Sequence, residues 1–116
     1  MKVIIAGGRD FDNYKLLKNS CDLILSDYAD NLEIISGKSK GADKIGEDYA
    51  KHRNYPIKEF PANWKLYSKS AGPIRNGEMA DYADMLIAFW DGKSRGTADM
   101  IAQATKKGLI VKIVNY

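Results

Sequence analysis

The chain has 116 residues, of which 45% are hydrophobic and 28% charged, with a net charge of +3 at pH 7. That length suits one domain, 1–116, with a modest core and no room for a second, and the composition is that of an ordinary globular protein. No window approaches the ~20 apolar residues of a membrane span, the single cysteine excludes an internal disulfide, and Lys and Arg scattered among Asp and Glu lean only weakly toward anionic partners.

The N-terminal stretch MKVIIAGGRD has four apolar residues after Lys2 before its glycines, too few for a secretory signal. The expectation is a first strand, KVIIA at 2–6, in a cytoplasmic protein. Next, Tyr14, Leu17, Cys21, Ile24, Leu25 and Tyr28 recur at spacings of three and four, the stripe of an amphipathic helix. Asp12 or Asn13 would cap it, and Cys21, in step with the stripe, reads as packing. LEIIS at 32–36 follows as a second strand. A second helix, about 41–53, shows Ala42, Ile45, Tyr49 and Ala50 on one face, with His52 at its solvated end. IKEF at 57–60 alternates and suits an edge strand. A long connection leads to a third helix, about 72–83, with Pro73 in its first turn, where a missing N–H costs nothing. MLIAF at 85–89 is a fourth strand. The last helix, about 95–107, has Ser94 as N-cap, Ala98, Ile101, Ala102 and Thr105 inward, and Gly108 as its stop. IVKIV at 110–114 closes the series. Apart from IKEF the strands are largely apolar, as strands covered on both faces are.

Strict alternation of strand and helix predicts a Rossmann-like α/β fold, a three-layer α/β/α sandwich around a five-stranded parallel sheet of order 3-2-1-4-5. In that order the winding reverses beside strand 1 and opens a crevice at the carboxyl ends of strands 1 and 4. The unusual residues all fall in connections that leave a strand's carboxyl end. In AGGRDF (6–11), Gly7 and Gly8 permit a sharp turn and close approach of a ligand, and Arg9 can contact a phosphate; the alternative is a tight turn with Arg9 in solvent. G-x-G-x-x-G is absent, so this is no dinucleotide fingerprint. In SGKSKGAD (36–43), which is not a Walker motif, Ser36, Gly37, Ser39 and Gly41 are small enough to admit an anion to the helix start. The alternative is an ordinary capped helix entry in which Asp43 serves only the positive end of the helix dipole.

In PANWKLYSKSAGPIRN (61–76), Trp64 and Tyr67 offer flat faces for a base, or else pack over the sheet edge. Arg75, with Asn76 beside it, can swing over the rim; its alternative is a surface ion pair with Glu78 or Asp81. In WDGKSRGT (90–97), Gly92 and Gly96 bracket a turn into the last helix. Ser94 and Thr97 supply hydroxyls, so that with Trp90, Asp91 and Arg95 the segment makes a phosphate cradle, or Ser94 is simply an N-cap. No His/Cys/Asp/Glu group has metal-ligand spacing, and neither metal nor cofactor is expected.

Together GGRDF, ISGKSKGAD, FPANW, AGPIRN and MADYADMLIAFWDGKSRGT resemble, over nearly the whole chain, the YspA-like branch of the SLOG superfamily. That Rossmann-like group includes the Lonely Guy nucleotide hydrolases and the DNA-processing protein DprA. The resemblance implies a site for a nucleotide or nucleotide-derived ligand on the rim already located. Lonely Guy enzymes cleave the N-glycosidic bond of a nucleoside monophosphate with an arginine before the fourth strand and a P-G-G-x-G-T-x-x-E turn after it. Arg75 looks like that arginine, and Gly96 with Thr97 looks like the G-T, whereas Met100 stands where the catalytic glutamate belongs and DGK replaces the P-G-G. Asp99 lies one place earlier, and about 100° of helix turns its shorter side chain away from the site. Asp10, Asp43 and Asp91 are further rim carboxylates.

The resulting expectation is a binding protein that senses or sequesters a nucleotide without turnover. The loops at 37–41 and 92–97 hold phosphate or pyrophosphate with Arg9 and Arg75, and Trp64 or Trp90 packs against the base. Small members of this kind suit phages or mobile elements, where taking up a host's nucleotide messenger is one use. One alternative is a nucleotide N-glycosidase using Arg75 with Asp99 or another rim aspartate. Another, suggested by the likeness of SGKSKGAD to a DprA loop, is single-stranded nucleic acid binding. Superfamily members often pair with themselves, so a homo-oligomer is also expected, through apolar residues of the third and fourth helices that core packing explains equally well.

Overall fold

The computed structural model describes residues 1–28 and 31–116. Five strands, β1 (Lys2–Gly7), β2 (Glu33–Ser36), β3 (Ile57–Glu59), β4 (Met85–Trp90) and β5 (Ile110–Asn115), form one parallel sheet in the order β3-β2-β1-β4-β5. The helices between them are α1 (Tyr14–Leu25), α2 (Ala42–His52), the single turn α3 (Trp64–Tyr67), α4 (Ala71–Tyr82) and α5 (Arg95–Lys106).

The two-residue period of the central strands sorts the core into two layers. Val3 and Ile5 of β1, Ile34 of β2 and Ile87 and Phe89 of β4 face one side, where Leu17 and Cys21 of α1 and Ala42 and Tyr49 of α2 cover them. Ile4 and Ala6, Ile35, and Leu86 and Ala88 face the other, under Met79 and Ala80 of α4 and Met100 and Ala104 of α5. Each wholly buried Ile or Leu contributes on the order of 2 kcal/mol. Because the first two crossovers lie on one face and the last two on the other, the winding reverses at β1 and β4. Cys21 is fully buried, and burial pushes its thiol up to about 12, an inert packing residue.

Local signals hold where a side chain acts on neighbouring backbone. Asn13 caps α1 by accepting from the Leu16 amide at 3.0 Å, and Ser94 caps α5 through the Thr97 amide at 3.4 Å. Gly108, at φ +79°, follows the end of α5. His52 ends α2 with its Nδ1 2.6 Å from the Tyr14 hydroxyl.

Three expectations are corrected. The first helix stops at Leu25 and continues only as a 3-10 turn, Ser26–Tyr28. The long connection before α4 is not open loop: Asn63 caps α3 by accepting from the Leu66 amide at 3.0 Å, and a 3-10 turn at Ser68–Ser70 leads into α4. Finally, β5 is not covered on both faces. It is the sheet's second edge, with Ile113 44% exposed, because only Val111 and Val114 reach the two core layers.

Candidate functional site

At the carboxyl end of β1 the backbone threads between β4 and α2. A Cβ at Gly7 would lie 2.3 Å from the Phe89 carbonyl oxygen and 2.9 Å from the Ala42 Cβ, so only glycine passes. The Gly8 amide donates to the Phe89 carbonyl at 3.1 Å, and the Gly8 carbonyl accepts from the Ala42 amide at 3.1 Å. Gly41 completes this junction with φ +73° and an imaginary Cβ 2.2 Å from the Gly8 carbonyl oxygen. Its glycine lets α2 start directly against the β1 turn.

The loop after β2 is tied inward. Ser36 is buried and donates to Glu47 at 2.6 Å, while Lys38 bridges Glu47 at 3.0 Å and Glu59 at 3.1 Å. Asp43, only 5% exposed, accepts from the Ser39 amide at 3.2 Å. Burial pushes its carboxyl up to about 6, against the opposing pull of the Ser39 amide and the Arg75 charge. The helix start expected to receive an anion therefore already holds the chain's own carboxyl group.

Arg75 does not pair with Glu78 or Asp81. It is 9% exposed, donates from Nη1 to the Gly37 carbonyl, and donates from Nε to Asn76 Oδ1 at 3.0 Å. Burial lowers its proton affinity, though a guanidinium stays charged. Asn76 passes the connection on, donating to Asp99 at 2.9 Å and to the Gly96 carbonyl at 3.3 Å; Gln103 donates to the same Asp99 oxygen at 2.9 Å. Polar groups on either side of β4 thus form one network across the tops of α4 and α5. At the turn before α5, Asp91 accepts from the amides of Lys93 and Ser94, both at 2.8 Å. Those donors hold its carboxyl below the ordinary carboxylate value.

These elements enclose a cavity of about 550 Å³ at the carboxyl ends of β1 and β4, a volume within the range of small-molecule sites. Of the residues expected from sequence, Gly7, Gly8, Arg9, Ser39, Asp43 and Trp64 line it. So do Arg75, Asn76, Asp91, Ser94 and Arg95, with Gly96, Thr97 and Asp99. A second recess of about 450 Å³ adjoins it, sharing Arg9, Ser39, Trp64 and Arg75 as a common wall, and Gly37 lies there. Trp64 is 49% exposed, with the Arg9 guanidinium 5.9 Å from its ring centroid.

The remaining expected residues have other roles. Ser36 belongs to the buried ion network and Gly41 to the α2 junction, and neither lines either cavity. Trp90 donates its indole N–H to the Ser94 carbonyl at 3.1 Å, and Gly92 supplies the turn with φ +82°; both lie outside the two linings. Tyr67 is likewise outside them. Asp99 departs in the opposite sense. It lines the cavity rather than turning away, because Asn76 and Gln103 draw it toward α4. Met100 lines the cavity as well, almost wholly buried.

Some contributors were not among the residues expected from sequence, Lys38 of the second recess with them. Tyr116 donates to Asp10 at 2.7 Å and packs on Phe11 with ring centroids 4.8 Å apart, Gln103 positions Asp99, and Lys40 lines the second recess. Lys40 sits inside the quoted SGKSKGAD, where its charge was the available signal; no local pattern links Tyr116 to Asp10.

A family model described as "YspA, cpYpsA-related SLOG family" matches residues 1–67, more than half of the chain. The "Gene 61 protein" of Mycobacterium phage D29 is 29% identical over 123 residues, covering 99% of this chain and 95% of its own length. No solved structure matches the chain.

Proposed function

The chain belongs to the YspA, cpYpsA-related SLOG family, and from that premise we propose that the cavity at the reversal of the winding binds a nucleotide or nucleotide-derived ligand and holds it without turnover. Three arginines, Arg9, Arg75 and Arg95, converge with Trp64 on that one cavity, and this observation carries the reading. Guanidiniums give charge-assisted hydrogen bonds to phosphate, and the half-exposed indole gives a base a face to stack on. The reading without turnover is supported by Met100, which stands where the resemblance to Lonely Guy enzymes puts a catalytic glutamate, and by Asp99, whose Oδ2 already accepts two hydrogen bonds.

The test is thermal unfolding with a panel of adenine and guanine nucleotides. A ligand at about a hundredfold over its Kd adds about 2.7 kcal/mol, a rise of roughly 8 °C or more for a chain this long. Arg75→Ala removes the rise and Arg75→Lys restores part of it. No rise with any member of the panel overturns the reading.

One observation favours a second reading, N-glycosidic hydrolysis. Asp43 lines the same cavity with its carboxyl pushed up to about 6, where a carboxyl can both take and give a proton near neutral pH. Water would add at the anomeric carbon as the bond to the base breaks, and the base would leave with a proton. Free base released from nucleoside monophosphates, and lost in Asp43→Asn, decides for this reading; no release with either purine decides against it.

A further inference from the structure

The two adjoining recesses differ in charge. On the wall of the larger one, Arg9, Arg75 and Arg95 face four carboxylates, Asp10, Asp43, Asp91 and Asp99. Two of these, Asp43 and Asp91, already accept from backbone amides that a phosphate would otherwise occupy. A phosphate bearing two negative charges is held there by the arginines but gains less than on a wall without opposing carboxylates, whereas sugar hydroxyls and base amines find acceptors.

Among the described residues, the smaller recess has no carboxylate on its wall and has four cations, Arg9, Lys38, Lys40 and Arg75. Lys38 is neutralised from behind by Glu47 and Glu59. Among the described residues, Arg9 and Lys40 take part in no ion pair. Its volume of about 450 Å³ equals roughly fifteen waters at liquid density, far more than a single phosphate displaces. The shared wall of Arg9, Ser39, Trp64 and Arg75 is where the two charge environments meet.

Resting on the nucleotide reading above, we infer that the ligand lies across this wall, nucleoside in the larger cavity and a chain of at least two phosphates running into the smaller recess toward Lys40. The first phosphate sits at the junction between Arg9 and Arg75. The second and any further ones lie beyond Ser39, in the carboxylate-free space. The ligand class is therefore a pyrophosphate-bearing nucleotide rather than a nucleoside monophosphate.

Calorimetric titration of the full chain with AMP, ADP, ATP, their guanine counterparts and inorganic pyrophosphate tests this, with Lys40→Ala and Lys40→Glu alongside. Lys40 is exposed in a loop, and unfolding of each variant without ligand verifies that it folds. For at least one base, the diphosphate should bind roughly tenfold or more tighter than the monophosphate, the gain from charge-assisted contacts. In Lys40→Ala that ratio should fall toward one, and in Lys40→Glu it should reverse. Equal affinity for mono- and diphosphate in the unaltered protein overturns the inference while leaving nucleotide binding intact. So does a Lys40 substitution that leaves the ratio unchanged, or an oligothymidylate that binds tighter than any mononucleotide. No binding by any probe overturns this inference and the nucleotide reading together.

Discussion

Asp43→Asn is the sharpest probe of the electrostatics at the head of α2. The carboxyl is 5% exposed and its pKa rises from an ordinary 3.8 to about 6, chiefly because burial penalises the charged form. Two units at about 1.4 kcal/mol each amount to about 3 kcal/mol, with little solvent screening to discount. The sign follows from proton binding. Between pH 4 and 6 the folded protein holds a proton here that the unfolded chain has lost, so this group's contribution falls as pH rises through that window and reaches its full penalty above pH 6. Asparagine stays neutral, and its side-chain oxygen can still accept from the Ser39 amide. Urea unfolding of both proteins at intervals from pH 4 to 7.5 gives the difference in stability. That difference should shift in favour of the variant by about 2.5 kcal/mol between the ends of the range, since at pH 4 the unfolded carboxyl is already partly ionised, whatever constant offset the lost attraction to Arg75 adds. A difference that stays flat with pH would refute the argument that Asp43 is buried without adequate compensation.

Two glycine substitutions separate structural from ligand-facing roles. Gly41→Ala places a Cβ 2.2 Å from a backbone carbonyl oxygen at φ +73°. No rotamer relieves that contact, so thermal unfolding should show a loss of at least about 2 kcal/mol, or roughly 6 to 12 °C. A variant within 2 °C of the parent would show that the β1–α2 junction can open. Gly96→Ala, in the first turn of α5 with no described atom beyond its chain neighbours and own helix backbone within 4 Å of the new methyl, should instead gain up to about 0.5–1 kcal/mol from helix propensity while weakening nucleotide affinity measured by titration. Unchanged affinity would show that this glycine is not kept for close approach of a ligand.

The sheet order and the location of the rim were legible in the sequence because both rest on short-range periodicity and on general rules of chain winding. Val3 and Ile5 against Ile4 and Ala6 already announce a strand covered on two faces, and the stripe from Leu17 to Cys21 announces the helix above it. The exposure of β5 was not legible in its own run, since IVKIV has the same apolar content whether or not its faces are covered; only the sheet order placed it at an edge. Nor was the seat of Asp99. Helical geometry alone turns it from the cavity, and its position depends on Asn76 and Gln103 reaching it from α4 and from one turn on. The division of charge between the two recesses was hidden for a related reason. Cations and carboxylates alternate along SGKSKGAD and WDGKSRGT, and only the fold buries Asp43, turns Asp91 onto its own amides and leaves Lys40 exposed. The contact between Tyr116 and Asp10 spans 106 positions and has no local signature.

A two-dimensional proton–nitrogen spectrum of the chain, recorded during titration with ADP and GDP, bears most directly on whether the cavity at β1 and β4 is a nucleotide site. Saturable shifts should concentrate at the amides of Gly8, Ser39, Gly96 and Thr97 and disappear in Arg75→Ala. Spectra unmoved at millimolar nucleotide, or shifts confined to the far ends of the strands, would contradict it.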